Sequence, residues 1–232
     1  MHVLNAGVVG AQVGVIFAHF QLNQAVPAFA SLIELYESGA KLPERAYDNI
    51  AERLARQASS VDECYFLLES RKNDGRSVPL AAVNMVIEAC AMMADLDRAF
   101  ATWAELEQFG LKPNSGTFNA LLHTCVRTRE LASGRRLLAR MAQDEVVPDA
   151  ITFMHRCSLH IMSREIGLAM SMLDHCKEAN LVPTGRMYAS LINAATRNRR
   201  GTQAKALLES MRNDGHPISA NLQAKVDAAS SG

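Results

Sequence analysis

The stretch GLKPNSGTFNALL, residues 110–122, places a Gly, a Pro and several small polar residues between two apolar helical patterns. A Gly can end a helix in the left-handed conformation, and a following Pro prevents the helix from resuming. Asn114 then stands where a helix N-cap is expected, and TFNALL begins a new apolar stripe. The stretch therefore predicts the end of one helix and the start of another.

This junction recurs along the chain at nearly constant intervals. Similar stretches are DEVVPDAITFMHRC at 144–157 and ANLVPTGRMYASLI at 179–192. Six of the seven prolines are separated by 34 to 36 residues: Pro43, Pro79, Pro113, Pro148, Pro183 and Pro217. Such a period indicates a repeat architecture rather than a set of isolated turns.

Helix-stop residues stand a few positions before these prolines. They are Gly39, Gly75, Gly110, Asn180 and Gly215, and Glu145 occupies the equivalent place in one unit. Gly and Asn reach the left-handed conformation at low cost, so each of these positions predicts a helix C-terminus. Glu145 is the exception to this chemistry.

Each period carries two apolar stripes with helical spacing. In one of them Phe118, Leu121, Leu122 and Cys125 fall at i, i+3, i+4 and i+7. A single helix pair cannot bury its stripe, but stacked neighbours can. The sequence therefore predicts an all-α fold, a right-handed superhelical α-solenoid of about six helix-turn-helix repeats of roughly 35 residues.

The prolines divide the chain into one predicted repeat domain over residues 1–232. The predicted repeats are 9–44, 45–79, 80–114, 115–149, 150–184 and 185–219. Residues 220–232 are predicted to form a C-terminal capping helix and tail. The first repeat is the most degenerate of the six.

The composition excludes several classes of protein. The net charge is zero, with an acidic excess in residues 1–116 and a basic excess in 117–232, so the chain lacks the uniformly basic surface of a general polyanion binder. Five widely spaced cysteines do not suggest a disulfide framework. The apolar segment Ala6–Phe20 is short and contains Gln12 and His19, which predicts no membrane insertion. No transit peptide is evident.

Catalytic and metal-binding patterns are also missing from the sequence. It has no nucleophile–base pair, no phosphate-binding Gly loop and no spaced set of metal ligands. Cys157 and His160, with His155 and His175 nearby, are weak evidence for zinc. We therefore predict a protein that is not an enzyme, with no cofactor, no metal and no small-molecule substrate.

The repeats resemble those of the pentatricopeptide repeat family, of the P type. The first helix of a repeat matches in VNMVI (83–87), TFNALL (117–122) and MYASLI (187–192), and the second in AFATWAELEQFGLKPN (99–114). The resemblance covers roughly residues 9–219. It implies an organellar protein, mitochondrial or plastid, that binds single-stranded RNA at about one base per repeat.

In this family the fifth and the last residue of a repeat face one base. The resemblance assigns Asn119 and Asp149 to a uracil, and Asn84 and Asn114 to a pyrimidine. It also suggests phosphate contacts for Arg127 and Arg197, which lie at equivalent repeat positions. An ordinary solvated surface is the other interpretation of these two arginines.

Other repeats depart from the family pattern. Met154 and Ala189 stand at the fifth position of their repeats and cannot hydrogen-bond a base edge. The last-position residues also have a purely structural explanation, because each precedes a predicted helix and can cap it: Asn114, Asp149, Thr184 and Ser219. Asn84 and Asn119 lie inside helices and are harder to explain as caps.

Two functions remain open at this point. The first is a non-catalytic organellar RNA-binding protein, acting in RNA processing, stability or translation, whose partner is single-stranded or ribosomal RNA. The second is a scaffold that binds protein subunits of a larger complex, such as an organellar ribosome. The resemblance alone favours the RNA-binding function. The degenerate base-reading positions and the neutral charge favour the scaffold function.

Overall fold

The computed structural model describes residues 6–230, which form thirteen α-helices and no β-strand. The helices are α1 (Ala6–Gln21), α2 (Ala25–Glu37), α3 (Glu44–Leu54), α4 (Ala58–Asn73), α5 (Leu80–Met93), α6 (Leu96–Ala104), α7 (Ser115–Thr128), α8 (Leu131–Gln143), α9 (Ala150–Met162), α10 (Ile166–Glu178), α11 (Gly185–Arg197), α12 (Gly201–Asn213) and α13 (Ala220–Ser230). Short turns within each pair alternate with the proline-containing junctions between pairs.

The chain forms two compact units, divided after Thr128. In the first, α5 packs against α6 of its own pair and against α3 and α7 of the neighbouring pairs. In the second, α9 packs against α10 and α11, and α11 packs against α12 and α13. Each unit thus buries the apolar stripe of one helix pair against the next.

Helix α5 is the most enclosed element of the first unit. Every residue from Ala82 to Ala91 is buried, including the polar Asn84 and Glu88. The cause is its position between helices of two neighbouring pairs, which leaves little of its circumference to solvent. A polar side chain on α5 must therefore find its partners within the protein.

The junction chemistry inferred from the sequence is confirmed. Gly39, Gly75, Gly110 and Gly215 have φ values of 68° to 80°, and Asn180 has a φ of 57°. Glu145 also adopts this conformation, with a φ of 55°. The left-handed C-terminus therefore forms at this junction even where the side chain does not favour it.

The prediction of an all-α helical repeat fold is confirmed, and α1 to α12 supply the six predicted helix pairs. Helix α1 begins at Ala6 and α3 at Glu44, and the corresponding repeats were predicted to start at residues 9 and 45. The predicted final helix is α13. A single array over 1–232 stays a prediction, and its ends, 1–5 and 231–232, lie outside the described residues.

Between residues 6 and 230, no helix has the length and hydrophobicity needed to span a bilayer.

Candidate nucleic-acid interface

The six predicted RNA-contacting residues are divided between the two units. The first unit holds Asn84, Asn114, Asn119 and Arg127, and the second holds Asp149 and Arg197. Within the first unit, the residues lie on the packed helices α5 and α7 and at the N-terminus of α7. This is where the structure brings predicted site residues together.

Asn84 and Asn114 are in direct contact. The Asn84 Nδ2 amide donates to Asn114 Oδ1 at 3.2 Å, and the Thr117 hydroxyl donates to Asn84 Oδ1 at 2.8 Å. Asn114 Oδ1 also accepts from the Thr117 backbone N–H at 3.0 Å, which caps α7. The Asn84 amide, which the resemblance assigned to a base, is thus bonded within the protein through both of its polar atoms, to the last residue of its own repeat and to Thr117 of the next.

Gly116 packs closely against this network. A Cβ at this position would lie 3.1 Å from Asn84 Nδ2 and 3.2 Å from Asn114 Oδ1, which is closer than ordinary van der Waals contact. Gly116 and Thr117 were not among the predicted site residues. Their signal in the sequence was weak, because Gly and Thr near a helix start have several more common explanations.

Asn119 occupies on α7 the position that Asn84 occupies on α5. Both side chains are nearly enclosed, since Asn84 is 6% and Asn119 is 7% exposed. An RNA base could reach only a small part of either amide in this conformation. Base reading by these two residues therefore stays a prediction.

Asp149 caps α9 through a complete capping box. Its Oδ1 accepts from the Thr152 backbone N–H at 2.9 Å, and the Thr152 hydroxyl accepts from the Asp149 N–H at 3.2 Å. Thr184 caps α11 at 3.1 Å and Ser219 caps α13 at 3.3 Å. With Asn114 on α7, all four predicted caps are confirmed, each satisfying a backbone donor that the helix cannot pair internally.

Arg127 and Arg197 are exposed near the C-termini of their first helices. The Arg127 Nη2 donates to the Met92 carbonyl at 2.9 Å, at the end of α5, and the Arg197 Nε donates to the Asn193 carbonyl at 3.0 Å. A guanidinium has five N–H donors, so one such bond leaves others for a phosphate. Both arginines are held in place in a state that can still bind an anion.

Two further polar contacts were missed by the sequence analysis. His123 Nδ1 lies 2.6 Å from Glu88 Oε1 between α7 and α5. In the second unit, Lys225 Nζ donates to Asn193 Oδ1 at 3.2 Å. Lys225 and Arg197 line a shallow groove of about 740 Å³ between α13 and α11. The sequence predicts the final helix only as a cover of the last helix pair, and that role gives no reason to expect a charged groove there.

The residues weighed for zinc do not come together as a metal site. Over residues 6–230, no group of three or more His, Cys, Asp or Glu side chains could hold a metal ion. His160 instead lies 2.8 Å from Glu165 through its Nδ1, and Cys157 is buried in the apolar core of the second unit.

Family models match most of the chain. A model described as the pentacotripeptide-repeat region of PRORP matches residues 70–221, which is more than half of the chain. Another, described as pentatricopeptide repeat-containing protein, matches residues 14–106. Both matches fall on the helix pairs described above.

Three curated relatives share part of the sequence. A mitochondrial pentatricopeptide repeat-containing protein of Arabidopsis thaliana is 31% identical over 127 residues, covering 54% of this chain and 20% of that protein. The mitochondrial 15S rRNA processing factor CCM1 of Candida tropicalis is 23% identical, with coverages of 72% and 22%. The small ribosomal subunit protein mL103 of A. thaliana is 20% identical, with coverages of 56% and 32%. The chain spans at most about a third of the length of these relatives.

Two solved structures share the fold. The repeat domain of A. thaliana protein-only RNase P 1, in complex with tRNA, superposes with a TM-score of 0.58 at 15% identity and covers 82% of this chain and 100% of that one. The maize pentatricopeptide repeat protein PPR10 superposes with a TM-score of 0.56 at 22% identity, with coverages of 94% and 31%. At these identities the similarity shows the helical repeat fold alone.

Proposed function

The chain belongs to the pentatricopeptide repeat family, and on that premise we propose that it is a non-catalytic RNA-binding repeat protein of the mitochondrion. Its partner is single-stranded or ribosomal RNA, and it acts in RNA processing, stability or translation. The relatives named for mitochondrial 15S rRNA processing and for the small ribosomal subunit support this compartment and this partner.

One observation carries the proposal. Asn84 and Asn119 stand at the same position of two helices, α5 and α7, that pack side by side. The interval matches one base per repeat, and an amide can both donate to and accept from a base edge. Asn119 lies within α7 and not at its N-cap, at a position where Asn has poor helix propensity.

The mechanism is passive binding with two kinds of contact. The amides of Asn84 and Asn119 favour pyrimidines, and the guanidinium of Arg127 binds the RNA backbone. For Asn84 to reach a base, its bonds to Asn114 and Thr117 must open or rearrange. Binding therefore includes a local change in the first turn of α7, and the amide–amide bond competes with the RNA.

Fluorescence anisotropy with labelled oligonucleotides tests this proposal. The probes are matched single strands that carry either adjacent uracils or adjacent adenines. We expect Asn119→Ala to reduce the preference for uracil.

Arg127→Ala should weaken binding to both probes and make the slope of log affinity against log salt concentration shallower by about 0.7, the value for one phosphate on a single strand. Asn213→Ala, an exposed Asn at the end of α12, is the matched control. RNA binding that ignores base identity in the wild type would contradict the base-reading part.

A second function is favoured by a specific observation. The Asn84 amide is bonded within the protein, and the fifth positions of the next two repeats hold Met154 and Ala189. Such a chain can act instead as a scaffold subunit of an assembly such as the mitochondrial ribosome, with RNA contacted by shape and charge. Co-sedimentation of the tagged protein with a ribosomal subunit, with no binding of free oligonucleotides, would support this function over the first.

A further inference from the structure

A cleft of about 460 Å³ lies between α8 and α9 in the second unit. Its walls are mostly apolar, and they include Leu138, Met141, Val146, Phe153 and Leu159. The volume lies within the range of ligand pockets, roughly 300–1,000 Å³. The cleft is therefore large enough to receive a bulky apolar group from outside.

The cleft interrupts the regular packing of the first helices. Phe153 is only half-buried. The residues at the same position of α5, α7 and α11 are Val83, Phe118 and Tyr188, and all three are fully buried. A position that packs completely in three repeats is thus open to solvent in this one.

The neighbouring stripe position shows a stronger departure. Arg156 is exposed and lines the cleft. The residues at this position of α5, α7 and α11 are Val86, Leu121 and Leu191, each at most 1% exposed. A guanidinium therefore replaces an apolar core residue. Positions at which a sequence departs from the apolar pattern of its own fold are most often functional sites.

The charges around the cleft leave one cation unpaired. Glu165 lies 2.8 Å from His160 Nδ1 and 3.3 Å from Arg135 Nη2. The bond with His160, reinforced by Arg135, holds the pKa of Glu165 below its ordinary value, so this carboxylate is charged. Among residues 6–230, Arg156 has no hydrogen-bond or ion-pair partner. The rim therefore offers a free guanidinium next to an apolar wall.

We propose that the α8–α9 cleft binds a partner protein through a segment that carries a bulky apolar side chain next to an Asp or Glu. The apolar side chain packs on Phe153 and Leu138, and the carboxylate pairs with Arg156. We infer an acidic residue in the partner because Arg156, at the rim of the cleft, has no carboxylate partner within the described part of the protein. Aromatic and Arg residues are also the most common anchors of protein interfaces.

This surface is distinct from Asn84, Asn119 and Arg127, the contact residues of the proposed function, which lie in the first unit. Met154, which holds the fifth position of its repeat, does not line the cleft, whereas Phe153, Arg156 and His160 do. These three residues are spaced i, i+3 and i+7 and share one face of α9. The walls are mostly apolar, which favours a bulky apolar protein side chain as the occupant.

A random twelve-residue peptide library displayed on phage, panned against the whole chain, tests the proposal. We expect the selected peptides to share a bulky apolar residue within two positions of an Asp or Glu. A labelled synthetic peptide of that consensus should then lose about tenfold or more in affinity when its acid is changed to the amide. Selection of no consensus, or of one without an acidic residue, would overturn the proposal.

Variants of the protein locate the binding site. Arg156→Leu restores the residue type of the other repeats, so it should fold at least as well as the wild type and still lose about tenfold in peptide affinity. Ala142→Trp, on the wall of the cleft, should block binding. The matched controls are Arg136→Leu and Ala132→Trp on exposed positions of α8 outside the cleft. Equal effects of test and control variants would contradict the site.

The RNA oligonucleotides described above are measured in parallel. We expect Arg156→Leu and Ala142→Trp to leave RNA binding within about twofold of the wild type, because the cleft lies on another face of α9. If they abolish RNA binding while no acidic peptide binds, the cleft belongs to the RNA interface and the proposal fails. Failure of the RNA proposal, by contrast, would leave the peptide result intact.

Discussion

The side-chain amide of Asn84 donates to Oδ1 of Asn114 at 3.2 Å, and this bond joins helix α5 to the N-cap of helix α7. Both residues were predicted to face RNA, from opposite ends of one repeat. In the structure they bond to each other, so the same two side chains stabilise the repeat stack and carry the proposed recognition. On the proposed function, we therefore expect RNA binding and the stability of the α5–α7 contact to be coupled.

Replacement of Asn114 by Ala should destabilise the protein. It removes the cap of α7 and the acceptor of the Asn84 amide, which is buried. We expect a loss of about 1–2 kcal/mol in the free energy of unfolding, measured by urea denaturation. Asn114→Asp keeps an acceptor oxygen for both donors and should cost less. An Ala variant as stable as the wild type would show that neither bond contributes to stability.

Replacement of Gly201 by Ala should loosen the final helix. A Cβ at Gly201 would lie 2.2 Å from the Ala229 carbonyl oxygen, so α12 and α13 must separate. We expect a loss of roughly 1–3 kcal/mol and faster amide exchange in α13.

The matched control for this variant is Gly167→Ala. Gly167 also lies in the first turn of a helix, but a Cβ there would meet nothing within 4 Å. This substitution should be neutral or stabilise by up to about 1 kcal/mol, since Ala loses less backbone entropy on folding. A stability loss of the same size in both variants would contradict the proposed close approach.

Replacement of Tyr188 by Phe should raise the pKa of Asp214. The Tyr188 hydroxyl donates to Asp214, which also pairs with Lys177 at 3.1 Å, and these contacts hold the pKa of Asp214 below its ordinary value. The folded-state pKa is thus lower than the unfolded one. The resulting stabilisation is fully present above the ordinary carboxyl pKa and is lost as pH falls through the lowered value.

An NMR titration of the Asp214 carboxyl measures this effect. In Tyr188→Phe the midpoint should move up toward the ordinary value, and the acid-induced loss of stability should shrink. Ser210→Ala is the control, because Ser210 contacts the Tyr188 hydroxyl at 3.0 Å without touching the carboxylate. An unchanged midpoint in Tyr188→Phe would show that the charges of Lys177 and His216 lower the pKa of Asp214 without the hydroxyl.

The native cysteines should resist thiol reagents. All five are free and buried, and burial raises the pKa of Cys64, Cys90 and Cys157 to about 12. The thiolate is the reactive form, so we expect almost no reaction with Ellman's reagent at about pH 8 in the native state. Complete reaction should follow on denaturation. A thiol that reacts rapidly in the native protein would reveal local opening around it.

The sequence by itself determined the fold class, the helix pairs and their caps. Proline spacing, Gly or Asn before it and an N-cap residue after it are local signals, and each acts within a few residues of the chain. At the Gly110–Asn114 junction, Gly110 adopts the predicted left-handed conformation and Asn114 caps the next helix, as its residue type predicted. Even the poor match at Glu145 marked a real helix end.

Tertiary structure decided what the polar side chains do. Asn84 and Asn114 are 30 residues apart, and only the stacking of α5 on α7 lets them bond, with Gly116 packed closely against both side chains. In the same way, the sequence alone gives Arg156 no special role. Leu121 and Leu191, which hold the same position in other repeats, are buried in the structure, and this burial shows that Arg156 replaces a core residue. Contacts between repeats depend on how helices pack, and no local pattern encodes them, because packing joins residues that are distant in the chain.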